Sequence, residues 1–327
     1  LKHTKKLCVI THLGRPKEGE FDIDLSVLPI KKWFEKRLNE EIDLINNFKN
    51  IPDNVCFVEN IRFFNGENDN DKDLSEQIAK AFDVYVMDAF ATAHRAAAST
   101  FGAIKFSKNA CSGLLFSEEI TNLESALKEN KQILSIVGGS KISTKLKVIH
   151  NLLPNSSAII VGGGIANTFL KAADNPIGKS IVEDDMLDKA TELLSTNKIV
   201  LPKHVYVAET PQSNDVDLIS VEDVPENKMI LDIELNENKI SQNEEYIIWN
   251  GPLGIFEIDK FSNGTKQLIA FLENSKSKVI AGGGETLFAI NKFSDTSKFH
   301  YVSTAGGAFL EYLSGNKLPS IEALRLK

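Results

Sequence analysis

Two lysines, Lys141 and Lys145, stand four residues apart in the stretch "SIVGGSKISTK", just after the pair Gly138-Gly139. Four apart on a helix means one face, where like charges repel by a few tenths of a kcal/mol. The chain carries 45 acidic and 37 basic residues, a net charge of −8, so the pairing is not a by-product of a basic protein. An anion held between the two ammonium groups converts repulsion into attraction; a solvated helix face is the plain alternative. Glycine lets backbone N–H groups approach an anion closely, and a helix starting at such a turn adds the positive end of its dipole. The same glycine signal recurs at Gly162-Gly163-Gly164, at Gly251 and Gly254, at Gly282-Gly283-Gly284 and at Gly306-Gly307. One such loop reads equally well as a plain turn. Five of them, each after an apolar run, read as a cradle for a polyphosphate. The pattern G-x-x-x-x-G-K-[ST] is absent, which excludes a P-loop nucleotidase.

A second group of residues lies nearer the start: His12, Arg15, Arg62, His94 and Arg95, again just beyond apolar runs. Arginine forks match carboxylates and phosphates. Any one of these arginines alone reads as a surface charge, and His12 and His94 read equally well as structural histidines. Three arginines in equivalent places form a pocket for a small, highly anionic molecule. A nucleotide cradle and an anion pocket together fit phosphoryl transfer, which needs positioning and charge neutralisation more than covalent chemistry from the protein. Two half-sites that bend toward each other at a hinge would also exclude water.

The elements that must position these residues are strand-like runs alternating with helical stretches. The runs are Leu7–Thr11, Val55–Glu59, Val84–Asp88, Ile133–Val137, Ala158–Val161, His204–Ala208, Tyr246–Trp249, Lys278–Ala281 and His300–Ser303. This alternation predicts an α/β fold of mostly parallel sheets with helices on both faces, and ligands of such sheets bind at the carboxyl ends of the strands. At 327 residues the chain is long for one core, so two domains are expected. Ser117–Lys131, charged but with Ile120, Leu123 and Leu127 at helical spacing, reads as the joining helix. We expect an N-terminal domain over 1–116, a helix over 117–131, a second domain over 132–305, and a C-terminal helix and tail over 306–327 returning to the first.

The composition, 42% hydrophobic and 25% charged, is that of a soluble globular protein. The acidic balance argues against broad nucleic-acid or membrane binding. Three cysteines without metal-type spacing point to a reducing, cytoplasmic setting. No apolar run approaches the roughly 18 residues of a membrane span. The chain begins at Leu1 and enters a strand-like run almost at once, which reads as a beginning cut off.

Eight ordered motifs resemble those of phosphoglycerate kinases. They are "THLGRPKEGE", "VENIRFFNGE", "MDAFATAHRAAAST", "VGGSKISTK", "VGGGIANTFLKA", "WNGPLGIFE", "AGGGETLFAI" and "STAGGAFLEYL", spanning about Thr11 to Leu324. The resemblance implies reversible phosphoryl transfer between 1,3-bisphosphoglycerate and ADP, giving 3-phosphoglycerate and ATP in glycolysis, with Mg²⁺ bound alongside the nucleotide, by a cytoplasmic monomer. It implies that His12, Leu13, Gly14, Arg15, Arg62, His94 and Arg95 bind the phosphoglycerate. Gly139, Lys141, Lys145, Gly163, Gly164, Asn250, Glu257, Gly283, Gly284, Glu285 and Thr286 would bind the nucleotide. Of these, Lys145 would meet the nucleotide phosphates and Glu257 the ribose. Lys141, Arg15, Gly283 and Gly306 would act in catalysis, Lys141 beside the transferred phosphoryl group, and Glu285 would approach the metal.

The chain departs from the family pattern in places. The first β–α unit has no counterpart, which removes a strand and part of the substrate pocket. Glu285 stands where the family has aspartate, alanines stand at 91, 97 and 305, and the loop after Leu231–Asn236 is shortened. These departures keep open an alternative, a nucleotide-binding remnant without catalysis. A dinucleotide-dependent dehydrogenase is disfavoured, because no G-x-G-x-x-G follows a strand.

Overall fold

The computed structural model describes residues 6–127, 132–236 and 244–327. The chain divides into two compact units, Leu1–Ser117 with Lys317–Lys327, and Glu118–Asn316. The second unit is organised by a six-stranded parallel sheet. Its strands are β6 (Ile133–Val137), β7 (Ser156–Val161), β8 (Ile199–Val200), β12 (Tyr246–Asn250), β13 (Lys278–Gly282) and β14 (Tyr301–Ser303), in the order β14-β13-β12-β6-β7-β8. All five residues of β6 are buried, as a strand covered on both faces requires. Leu134, Ile136, Trp249, Val279 and Ala281 share one core cluster with Leu268 and Leu272 from helix α8 (Asn263–Glu273).

The run at 204–208 does not join this sheet. It forms β9 (His204–Ala208), the middle of a separate antiparallel sheet with β10 (Asp217–Ser220) and β11 (Met229–Ile233). The connection 209–216 is too short for the helical crossover that a parallel neighbour needs, so the chain turns back on itself.

The first unit holds a parallel sheet of β1 (Leu7–Val9), β2 (Asp43–Ile45) and β3 (Val55–Val58), in the order β1-β3-β2. A parallel pair, β4 (Tyr85–Met87) with β5 (Ala110–Ser112), stands apart from it in hydrogen bonding. Its core gathers Val58, Ile61, Leu74, Ile78, Ala98 and Ala103. Leu74 and Ile78 come from helix α2 (Lys72–Lys80), started by Asp71, whose carboxylate accepts the Leu74 N–H at 2.8 Å. Helix α4 (Leu114–Leu127) covers most of the stretch expected as the joining helix; residues 128–131 lie outside the described residues. The chain returns to the first unit at Lys317, later than the boundary at 306. Helix α10 (Gly307–Leu313) belongs to the second unit, where Asn151 Nδ2 donates to the Leu313 carbonyl at 2.9 Å. Helix α11 (Pro319–Arg325) belongs to the first, tied by Ser320 Oγ to the Thr100 carbonyl at 2.7 Å and by the Ser320 N–H to the Ala93 carbonyl at 3.2 Å. The three cysteines are free thiols. Among the described residues, no helix is long and apolar enough to cross a membrane.

Candidate functional site

In the second unit, the loops after β6, β7, β12 and β13 converge at the carboxyl edge of the sheet. Gly138 N–H donates to the Asn250 carbonyl at 2.9 Å, Gly163 N–H to the Leu253 carbonyl at 2.8 Å, and Ile165 N–H to the Gly139 carbonyl at 3.2 Å. The contact is backbone on backbone, and side chains would break it. A Cβ on Gly164 would lie 2.2 Å from the Ser140 carbonyl oxygen, and one on Gly138 would lie 1.9 Å from that of Pro252. Gly284 differs: its φ is not positive, and a Cβ there would meet nothing within 4 Å. Neither packing nor backbone strain demands glycine at 284.

A cavity of about 300 Å³ opens between these loops and the antiparallel sheet. Gly139, Gly163, Gly164, Glu257 and Glu285 line it, as do Asn167, Pro211 and Met229 through Ile233. Helix α6 (Gly163–Ala172) and helix α9 (Gly284–Phe293) begin at this edge. Glu285 is exposed in the first turn of α9, where a negative charge is favoured by the helix dipole. Lys292 Nζ donates to the carbonyls of Phe256 and Glu257 at 3.1 and 3.0 Å and so fixes the segment that carries Glu257.

The two lysines do not lie on one helical face. Helix α5 (Leu146–Leu152) starts only after Lys145, and Lys141 precedes the turn at 143–145 that leads into it. Ser143, Thr144 and a carboxylate compete with the helical ladder here. Thr144 Oγ1 donates to the Lys141 carbonyl at 2.8 Å, while Glu183 accepts from Ser143 N–H at 2.9 Å and from Ser143 Oγ at 2.5 Å. Lys141 is exposed. Lys145 is half-buried, and Nζ donates to Asn250 Oδ1. Burial holds the Lys145 ammonium below its usual pKa, while Glu285 acts in the opposite sense. Asn250 Nδ2 donates to the Gly282 carbonyl at 2.6 Å, and Thr286 Oγ1 accepts the Gly251 N–H at 2.8 Å. Both side chains are buried and fasten loop to loop, so they shape the cradle. Gly283 and Gly306 cap α9 and α10 at φ 106° and 43°.

In the first unit, the structure brings Arg62 within electrostatic reach of Arg15 and Arg95, and His12 within reach of Arg62 and Arg95. Burial, then Arg62 and Arg95, hold His12 below its usual pKa and so favour the neutral ring. Burial also lowers Arg62, followed by the charge of Arg95, with Glu67 opposing and Arg15 adding. Like charges gathered around Arg62 and His12 make a place where an anion gains energy. Arg62 Nη1 donates to the Gly14 carbonyl, and Arg95 Nε points at His94 Nε2 at 3.4 Å.

Sequence reasoning overlooked Asn60. It is fully buried; its Oδ1 accepts the N–H groups of Leu13 and Arg62 at 3.3 and 3.2 Å, and its Nδ2 donates to the carbonyls of Leu13 and Leu25 at 2.7 and 2.8 Å. One amide thus ties the His12–Arg15 loop to the segment carrying Arg62. Glu59 beneath it accepts from Ser26 Oγ and from the N–H groups of Val27 and Asn60. The signal was the "EN" directly before "IRFF": a buried polar pair beside a strand end. Asp232 in the cavity wall was overlooked too. It is buried and accepts the Gly264 N–H at 2.9 Å; burial pushes its carboxyl up to about 7, against the pull of backbone N–H donors.

A family model for phosphoglycerate kinase matches residues 1–316. The phosphoglycerate kinase of Francisella philomiragia is 45% identical over 334 residues, covering 98% of this chain and 85% of its own. That of Coxiella burnetii is 41% identical over 339 residues, covering 99% and 87%. A solved structure of phosphoglycerate kinase from Coxiella burnetii superposes with a TM-score of 0.92 at 42% identity, covering 98% of this chain and 86% of the other. The phosphoglycerate kinase structure from Pyrococcus horikoshii does so with a TM-score of 0.79 at 25% identity, covering 98% and 86%. Nothing in these likenesses favours a remnant without catalysis.

Proposed function

The chain belongs to the phosphoglycerate kinase family, and on that premise we propose that it moves a phosphoryl group reversibly between 1,3-bisphosphoglycerate and ADP. A β-phosphate oxygen of ADP attacks the acyl-phosphate phosphorus. The phosphorus–acyl oxygen bond breaks and leaves 3-phosphoglycerate, whose carboxylate keeps the electron pair. No proton is needed, so the protein's work is to place two anions and neutralise charge.

The observation that carries this reading is the pairing of a glycine cradle with two lysines in one unit and a cluster of three arginines and a histidine in the other. His12, Arg15, Arg62 and Arg95 hold the phosphoglycerate, with Leu13, Gly14 and His94 shaping the loop ends. Gly139, Gly163 and Gly164 bring backbone against the nucleotide. Lys145, fixed by Asn250, faces the nucleotide phosphates, and Glu257 faces the ribose. Lys141 and the backbone at Gly283 and Gly306 neutralise the group in flight. Mg²⁺ brought with the nucleotide would offset the negative charge of the reacting groups. The residues present fit such a metal: Glu285, an exposed carboxylate in the cavity wall, would stand beside a cation held mainly by phosphate and water. We read the enzyme as a cytoplasmic monomer.

Separate calorimetric titrations test the division of labour. Arg62→Ala should weaken 3-phosphoglycerate binding about tenfold to a hundredfold, the usual cost of one charged hydrogen-bond partner, and leave MgADP binding unchanged. Equal loss for both ligands would show that the arginines hold the fold and not the substrate.

A further inference from the structure

A carboxylate outside every site named so far clasps the turn that carries Lys141. Glu183 lies just before the short turn Asp184–Met186, forty positions along the chain from Ser143, and is half-buried. One oxygen accepts the Ser143 N–H at 2.9 Å and the other the Ser143 hydroxyl at 2.5 Å. The Ile142 N–H reaches it too, and the Lys141 ammonium lies within electrostatic range. The carboxylate therefore satisfies donors that would otherwise have entered a helix.

Glu183 is itself held from behind. Its N–H donates to Thr168 Oγ1 at 3.3 Å, and that hydroxyl donates to the Gly164 carbonyl at 3.2 Å. Asn167 Nδ2 holds the Ile181 carbonyl at 3.2 Å, and Lys171 pairs with Asp184 at 2.6 Å. Helix α6, which begins at the glycines of the cradle, thus braces the segment that braces the Lys141 turn. The Lys145 N–H also leans on this turn, donating to the Ile142 carbonyl at 2.9 Å, while its ammonium is held by Asn250.

We propose that Glu183 is a positioning residue: it fixes the 141–144 turn against α6 and partners the Lys141 ammonium until the transferred phosphoryl group takes its place. This rests on the phosphoryl-transfer reading above. A fixed turn holds the cation it carries in register, so less is lost when the anion arrives.

The test is a double-mutant cycle in the full chain, read by steady-state kinetics and by competitive acylation of lysines followed by mass spectrometry. Glu183→Ala should lower kcat about tenfold while the KM for MgATP changes less than twofold. In a Lys141→Met background the same change should cost less than twofold, because the residue through which it acts is gone. Lys141 should acylate at least threefold faster in Glu183→Ala, with Lys147 unchanged. Glu183→Gln, which keeps the shape and loses the charge, should fall between; it carries the cycle if the alanine variant does not fold. An equal loss of kcat in both backgrounds, or unchanged Lys141 reactivity, overturns the proposal. A wild-type chain that transfers no phosphoryl group would refute the functional reading alone, and the acylation rates would still decide the role of Glu183.

Discussion

Gly164→Ala puts the cradle under a known load. The new methyl would lie 2.2 Å from the Ser140 carbonyl oxygen and 3.0 Å from its carbon, where ordinary contact begins at 3.4 Å. Both partners are backbone, so no flexible side chain can swing aside. The Gly139–Lys141 loop or the start of α6 must retreat by roughly 1 Å, and overpacking of this kind costs about 1–3 kcal/mol. The start of a helix tolerates alanine well, so propensity does not explain a loss. A misplacement of that size at a reacting centre costs up to about a hundredfold in rate. We expect a thermal midpoint several degrees lower, MgADP affinity down about tenfold, and turnover down further. The assay pairs thermal unfolding with calorimetry, and Gly284→Ala, whose Cβ meets no protein atom within 4 Å, is the control. Gly284→Ala should leave stability unchanged and reduce nucleotide affinity. If Gly164→Ala keeps both its midpoint and its MgADP affinity, the close backbone contact between α6 and the Gly139–Lys141 loop does not set the cradle.

Three further outcomes follow from the same geometry. Lys141→Met should lower kcat at least a hundredfold with nearly unchanged MgADP affinity, since the exposed ammonium acts on the transferred group; a variant that loses affinity alone would move Lys141 to ground-state binding. Asp232, whose carboxyl is raised to about 7 in the fold, stays protonated there while the unfolded chain ionises near 4, so its contribution to stability is full below pH 4 and is lost as pH rises to 7. Asp232→Asn should therefore flatten the pH dependence of unfolding by up to about 4 kcal/mol between those limits, and denaturant curves that superpose at pH 8 would count against it. Glu285→Asp should lower the Mg²⁺ concentration for half-maximal activity about threefold, under 1 kcal/mol, and leave unfolding unchanged; identical Mg²⁺ titrations would show that the longer side chain already reaches.

The strands that carry the site were legible because buried parallel strands are continuous apolar runs. Ile133–Val137, Tyr246–Asn250 and Lys278–Gly282 all stand where such runs predicted them. β2, β5, β8 and β10 escaped notice because each is short and only partly buried, and a few residues show no period; β11, mostly buried, escaped too, because Asp232 interrupts its apolar run. His204–Ala208 looked like its parallel neighbours, and only its partners, set by a short return connection, make it antiparallel. The glycines and cations of the two half-sites were readable because their chemistry is local. The groups that aim them were not. Asn60 acts on Leu13 and Leu25, and Glu183 on Ser143, across tens of residues, and no local pattern announces a contact that only the fold creates. The same cause hid the turn at 141–145, where helical spacing of two lysines was overruled by a distant carboxylate.

The central claim is transfer between a nucleotide and a phosphoglycerate. Its most direct test follows ADP release from MgATP by the whole chain, with and without 3-phosphoglycerate, while the acyl phosphate formed is trapped as its hydroxamate. The account predicts that ADP appears only with 3-phosphoglycerate present and in equal amount to trapped acyl phosphate, and that Lys141→Met slows the appearance of both at least a hundredfold. ADP release independent of 3-phosphoglycerate, or no trapped acyl phosphate at saturating concentrations of both ligands, would contradict it.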